Sequence, residues 1–317
     1  MKKNFPKLLA IGIVSIILGS IVFVVGLAAA GWDTKAISGI TTTEHAYEET
    51  GSVQKLSISL DTADLTVVFD EDADKISVVY YTEKNKKDKP VSDITVTEEG
   101  GTLSITQKTF WTRALFLFNF EKPKVTVTVP KERTTTLKLE TDTGDIKLLG
   151  DARLIGSSIE ADTGDIFVEK FDTDSLMLET DTGKITLNDG YASGKIGIKV
   201  NTGDVKLAGD ISADKVEVTL DTGDLEFFGT LASASLNITT DTGDVECKRD
   251  GVINAERISV NSDTGDVSIR LFGKQADYQA LIETDTGDSN ISSNLTGARV
   301  FNFESDTGDL TVHFTEK

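Results

Sequence analysis

From about residue 53 onward, apolar side chains alternate with polar ones in short runs, and the runs come in pairs flanking a recurring tetrapeptide. Before it stand Leu137 and Leu139, Leu176 and Leu178, Ile196 and Ile198, Val216 and Val218, Leu236 and Ile238, Ile258 and Val260, and Phe301 and Phe303. After it stand Ile146 and Leu148, Ile166 and Val168, Ile185 and Leu187, Val205 and Leu207, Leu225 and Phe227, Val245 and Cys247, Val267 and Ile269, and Leu310 and Val312. Alternation of this kind predicts strands with one buried face.

The tetrapeptide is Asp-Thr-Gly-Asp. Its copies begin at Asp142, Asp162, Asp181, Asn201, Asp221, Asp241, Asp263, Asp285 and Asp306, so successive spacings are 20, 19, 20, 20, 20, 22, 22 and 21 residues. A degenerate copy, Asp61-Thr62-Ala63-Asp64, lies far upstream with Leu56, Ile58, Leu65 and Val67 around it. A unit of about 20 residues cannot bury its own apolar stripe, so the copies must stack on one another. Stacking at the strand spacing of about 4.8 Å gives an all-β, single-stranded β-helix, or β-solenoid, with nine rungs roughly 40 Å long. A string of antiparallel hairpins closing a meander or barrel is the alternative, because Thr-Gly between two Asp suits a two-residue turn. Near-identical side chains at a long fixed period favour the solenoid. Ser157, Ala280 and Ser289 replace larger apolar residues and mark weak rungs. Cys247 falls in an inward column and is expected to pack as a small hydrophobe that resists thiol reagents.

Upstream of the strands, Leu8 to Ala30 is an uncharged run of 23 residues, enough for a helix to cross a bilayer. Lys2, Lys3 and Lys7 precede it, which by the positive-inside tendency keeps the N-terminus in the cytoplasm and exports the rest. A signal peptide cleaved after Ala28-Ala29-Ala30 is the alternative, and it exports the bulk equally. The expected protein is therefore a single-pass cell-membrane protein with an extracellular C-terminal domain. Its expected divisions are a cytoplasmic N-terminus (1–7), a transmembrane helix (8–30), a polar linker (31–50), an irregular N-terminal β region (51–135) and regular solenoid repeats (136–317).

Charge and composition then remove several functions. A net charge of -20 excludes nucleic acid, whose phosphates need clustered Lys and Arg. One cysteine and two histidines, His45 and His313, leave no disulfide framework, no multi-thiolate metal site and no histidine-based catalytic set. There is no glycine-rich phosphate loop, zinc-ligand spacing or nucleophile elbow. Asp-Thr-Gly also marks aspartic proteases, but nine periodic copies followed by Asp or Lys do not fit a single shared-proton pair. Lys84 to Lys89 is a basic loop, read as solvated surface.

The tetrapeptide itself has two readings. In the first, Gly supplies a positive φ and the first Asp accepts hydrogen bonds from N–H groups two or three residues on; Asn201 in that place supports turn chemistry over charge. In the second, stacked carboxylates bind calcium, with Asp142, Asp145, Asp162, Asp165, Asp221, Asp224, Asp241, Asp244, Asp263 and Asp266 as candidate ligands. Lys184 interrupts the fourth-position file and supplies an internal cation. A further segment stands out: Phe110, Trp111, Leu115, Phe116, Phe118 and Phe120 crowd into eleven residues without clean alternation. Such a run either caps the open end of the solenoid or forms a patch for a partner or a bilayer.

The repeated [LIV]-x-[LIV]-x-Thr-Asp-Thr-Gly-Asp-[ILV]-x-[LIV] unit, preceded by Val125-Thr-Val-Thr-Val-Pro130, resembles the bacterial putative-adhesin family, a β-strand-repeat domain of unknown function that includes LiaG-like envelope proteins. The resemblance covers most of residues 50–317. It implies a β-helical ectodomain and, in some relatives, a link to envelope stress and antimicrobial-peptide responses; it carries over no catalytic residue. The functional expectation is a non-enzymatic, membrane-tethered surface module, with an extracellular protein, a cationic peptide or a cell-wall polymer as its partner. A carbohydrate-active enzyme on the same fold and a spacer without ligand are the alternatives.

Overall fold

The computed structural model describes residues 40–110 and 123–316, in which the strands join into one 23-stranded sheet. The first part of the chain forms β1 (Ile40–Glu48), β2 (Lys55–Leu60), β3 (Asp64–Asp70), β4 (Ser77–Asn85), β5 (Pro90–Glu99), β6 (Thr102–Thr109) and β7 (Lys124–Pro130). The repeats follow as β8 (Thr136–Thr143), β9 (Ile146–Arg153), β10 (Ser157–Thr163), β11 (Ile166–Thr173), β12 (Leu176–Thr182), β13 (Ile185–Thr202), β14 (Val205–Leu207), β15 (Ile211–Thr222), β16 (Leu225–Phe227), β17 (Thr230–Thr242) and β18 (Val245–Cys247). The chain ends with β19 (Val252–Thr264), β20 (Val267–Phe272), β21 (Tyr278–Thr286), β22 (Arg299–Thr307) and β23 (Leu310–Thr315), with one 3-10 turn at Gln275–Asp277.

Pairing between repeats is parallel and in register. Leu139, Ile159, Leu178, Ile198, Val218, Ile238, Val260 and Phe303 follow one another on successive coils before the corner. Ile146, Ile166, Ile185, Val205, Leu225, Val245, Val267 and Leu310 do the same after it. All of these side chains are buried. Each is worth about 1.5–3 kcal/mol of transfer from water, and no coil could bury its own row alone. The parallel pairing settles the choice between solenoid and antiparallel meander for the repeats. A third extended stretch completes each coil, as in Ile211–Ala213 on Leu231–Ser233 and then Ile253–Ala255.

The order of coils in space is not their order in the chain. At the N-terminal end, the coil of β2 and β3 lies between that of β6 and β7 and that of β8 and β9. At the C-terminal end, β22 lies between β19 and β21, and Leu310 of β23 pairs both with Val267 and with Ser289. The terminal coil of the stack is thus the copy at Asp285, and the last copy in sequence is tucked beneath it. This placement follows from side-chain volume. The Asp285 copy has Ala280 and Ser289 at inward positions, whereas the last copy supplies Phe301, Phe303, Leu310 and Val312, all buried. The better filler occupies the site with neighbours on both sides.

The N-terminal end closes differently. β5 pairs antiparallel with β6, and β4 antiparallel with β7 and with β1. Residues 40–48, expected to be part of a polar linker, are a strand: β1 runs along the whole of β4. Tyr47 Oη donates to Glu98 Oε2 at 2.6 Å, and Arg133 Nη1 donates to both carboxylate oxygens of Glu49 at 2.7 and 2.5 Å. Glu49 is only 3% exposed, so its charge is held by a cation in place of water. Composition alone read this stretch as solvated because these partners lie 51 and 84 residues away.

The expected membrane span and cytoplasmic stretch, residues 1–30, lie outside the described residues. No helix among the described residues is long and apolar enough to cross a membrane, which overturns the single-pass cell-membrane localisation expected from hydropathy. The apolar residues of the described repeats alternate inward along strands, so the continuous apolar run of about 20 residues that a spanning helix needs is not available there.

Candidate functional site

The Asp-Thr-Gly-Asp corners stack into one edge of the solenoid, beginning with the degenerate copy. Thr143 N–H donates to Asp61 O at 2.9 Å, Gly144 N–H to Thr163 O at 2.9 Å, and the same bonds recur coil by coil. Glycine is required at the third position for two reasons. At Gly223 φ is +137°, and an added Cβ would lie 1.9 Å from the carbonyl oxygen of Gly203 in the coil below. The stacking distance leaves no room for a side chain. Ala63 is tolerated because no such corner lies beneath it. There the side chain of Gln107, 2% exposed, closes the ladder: its Oε1 accepts from Thr62 N–H at 2.9 Å and Ala63 N–H at 3.0 Å.

The two Asp positions do different things. At the fourth position the carboxylates below the terminal coil accept the backbone N–H of the equivalent residue one coil on: Asp165 N–H to Asp145 Oδ1 at 3.1 Å, Asp244 to Asp224 at 2.9 Å, Asp266 to Asp244 at 2.9 Å. Lys184 joins the file as a donor to Asp165 Oδ1 at 2.8 Å and offers no carboxylate upward; its Nζ sits 3.9 Å from Asp204 instead. At the first position, Asp142, Asp162, Asp221, Asp241 and Asp263 are exposed, and among the described residues none of their carboxylates accepts a local backbone N–H. The expected turn chemistry therefore belongs to the fourth residue, and it acts between coils. Sequence spacing alone cannot separate a bond to a residue two positions on from one to a residue twenty positions on.

The first-position file is a line of like charges. Burial, and then the carboxylates of Asp61 and Asp162, hold Asp142 above the ordinary aspartate range. One row inward, burial and then Glu179 and Glu140 raise Glu160. Asn201 relieves the file at one coil, its Nδ2 donating to Asp181 Oδ1 at 2.7 Å. Nine of the ten stacked corners carry Asp at the first position and nine at the fourth, with Lys184 the sole cation among them, so most of the chain's net charge of -20 lies on this edge. Among the described residues, no group of three or more His, Cys, Asp or Glu side chains is placed to hold a metal ion. The ten candidate calcium ligands thus divide into two files: Asp142, Asp162, Asp221, Asp241 and Asp263 in one, and Asp145, Asp165, Asp224, Asp244 and Asp266 in the other.

Phe110 ends β6's neighbourhood at 41% exposure, beside Thr95, Thr97, Thr106 and Lys108. Trp111, Leu115, Phe116, Phe118 and Phe120 lie outside the described residues. Cys247 aligns with Phe227 on the adjacent coil, and burial pushes its thiol up to about 11. Two features escaped the reading of the sequence. Gln107 carries no motif, and its role appears only once β6 is seen under the first corner. The small residues recurring near Ala192, Ala213, Ala232 and Ala255 are a legible signal that the more regular Asp-Thr-Gly-Asp pattern overshadowed.

A parallel β-solenoid with a carboxylate-lined edge is thus the class of protein that fold and site define. The chain belongs to the Toastrack DUF4097 family, whose model matches residues 53–312. Among solved structures it is similar to a putative adhesin from Bacteroides fragilis, at 17% identity over 86% of this chain and 97% of that one, with a TM-score of 0.44. A putative adhesin from Parabacteroides distasonis is similar at 14% identity over 85% and 97%, TM-score 0.46. A putative lipid binding protein from the same species is similar at 18% identity over 87% and 97%, TM-score 0.38. No curated protein matches the chain.

Proposed function

We propose that this protein is a non-enzymatic, adhesin-like binding module whose acidic edge engages cationic partners, peptides above all. The observation that carries this reading is the exposed first-position file, in which carboxylates repeat at the coil spacing of about 4.8 Å with no lysine of their own. Neighbouring unit charges at that distance repel by about 1 kcal/mol even in water, and a polycation laid along the edge removes that repulsion. A long row of one sign also steers an oppositely charged ligand into encounter. The same exposed carboxylate recurs from coil to coil, and the raised proton affinity of Asp142 comes from burial and from its neighbours in the file, which supports binding over catalysis.

The test is calorimetric titration of the protein with a lysine-rich peptide at 50 and 500 mM NaCl. Binding that weakens at least tenfold with salt, and again in the triple variant D221N/D241N/D263N, supports the reading. Salt-independent binding, or none, overturns it. Asn201 already occupies this file, so amides there are compatible with the fold.

A further inference from the structure

Away from the acidic edge, an open groove of about 490 Å³ crosses four coils where the third stretch of each coil turns into the next. Three files in register build it. Tyr191, Ser212, Ala232 and Asn254 form one wall, and Ala192, Ala213, Ser233 and Ala255 lie beneath. Ser193, Asp214, Ala234 and Glu256 follow on the other side. The groove exists because alanine and serine fill these files; at about 4.8 Å per coil it runs about 14 Å.

From this groove we infer a binding site for an unbranched, hydroxyl-rich polymer, a chain of hexose units, held along the stack of coils. Four observations select that chemistry. The ring of Tyr191, 51% exposed, stands at one end and offers an apolar face with a polar tip, which suits the C–H face of a pyranose. Ser193, Ser212 and Asn254 present hydroxyl and amide groups along its length. The carboxylates of Asp214 and Glu256 have no ion-pair partner among the described residues, while the adjacent Lys195 and Lys215 are both committed to Glu217. Arg299, at the far end, donates to Phe272 O and Tyr278 Oη. With two unpaired carboxylates against the single guanidinium of Arg299, which lies by the rings of Phe272 and Tyr278, the groove disfavours polyanions, and with a floor of alanine and serine it gives little to a lipid chain. Along β13, β15 and β17 an extended peptide finds no sheet edge, because these stretches are paired with coils on both sides, and the one-sided stretch at Asn254–Glu256 is only three residues long.

The site is independent of the acidic edge, and ionic strength separates the two. Hexamers of glucose (β-linked and α-linked) and of N-acetylglucosamine are titrated into the full-length protein, with saturation-transfer NMR to locate contact. The expected result is saturable binding of at least one hexamer, equal at 50 and 500 mM NaCl because neutral sugars are not screened. Binding falls about tenfold, the equivalent of one lost stacking contact, in Tyr191→Ala and in D214A/E256A, and is unchanged in D221N/D241N/D263N. These residues are surface groups, so matched melting curves show that the variants fold. No saturable binding of any hexamer, or binding indifferent to both groove variants, overturns the inference. Loss of binding in high salt or in the triple variant overturns it too, by assigning the ligand to the acidic edge.

Discussion

The backbone N–H of Asp309 donates to Oδ1 of Asp266 at 2.9 Å, 43 residues upstream, and Asp288 N–H in turn donates to Asp309 Oδ1 at 2.8 Å. These two bonds establish that the last repeat is inserted between its two predecessors. The stack can therefore grow only to the Asp285 coil, and the C-terminal strand cannot peel away without opening the ladder on both of its sides.

Thr264 and Thr307 are register partners, so their Cα atoms lie near the strand spacing of about 4.8 Å, within disulfide reach. Thr264 and Thr286 lie two coils apart, at about twice that spacing. In a background lacking Cys247, the pair T264C/T307C is expected to oxidise readily and T264C/T286C to stay reduced. A disulfide in the second pair alone would restore sequence order to the coils.

Gly223→Ala places a methyl against a carbonyl and forces an unfavourable φ. A loss of about 3 kcal/mol is expected from overpacking and backbone strain together, read as a fall in Tm by thermal melting. Ala63→Gly at the equivalent degenerate position should change stability by no more than about 1 kcal/mol, because Gln107 and not a second corner lies beneath it.

The two aspartate files should respond differently to mutation. Asp224→Ala removes an acceptor used by Asp244 N–H and is expected to cost about 1–2 kcal/mol. Asp142→Asn removes a charge whose proton affinity is raised by burial and by its neighbours. The native state takes up that proton at higher pH than the unfolded chain, so ionisation of Asp142 destabilises the fold above its native pKa. The penalty disappears as pH falls through it. Asp142→Asn should therefore raise Tm at pH 7 and make no difference below the ordinary aspartate range; an equal gain at both pH values would show that ionisation of Asp142 is not the cause.

Fourth-position carboxylates already hold a backbone N–H through one oxygen, and the first-position carboxylates stand in a line without a closed cage. Melting in EDTA and in millimolar CaCl₂ is expected to coincide. Saturation at 100 times a dissociation constant would add about 2.7 kcal/mol, so a calcium-dependent rise of several degrees, absent with magnesium, would assign metal to the files.

Cys247 should react slowly with a thiol reagent at pH 8 in the folded protein and rapidly in denaturant, since burial disfavours its thiolate. Rapid native labelling would place its sulfur on the outside of the coil.

Much of this molecule was legible residue by residue. Period-two alternation around Val218 and Leu225 reports a buried face, and a spacing near 20 reports a unit that must stack, because both express constraints that act within one coil. The glycines were legible as turn formers, but the reason they cannot be replaced, a carbonyl 1.9 Å from where a Cβ would sit, belongs to the coil below. Tertiary structure alone decided which copy lies on which. Every Asp-Thr-Gly-Asp corner offers the same donors and acceptors, so local sequence is indifferent to neighbour order. Core volume at the ends breaks the tie, seating Phe301 and Phe303 inside and leaving Ala280 and Ser289 at the rim. Tertiary structure likewise made β1 a strand, set Gln107 under the first corner and opened the groove beside Tyr191, since each depends on groups that only folding brings within reach.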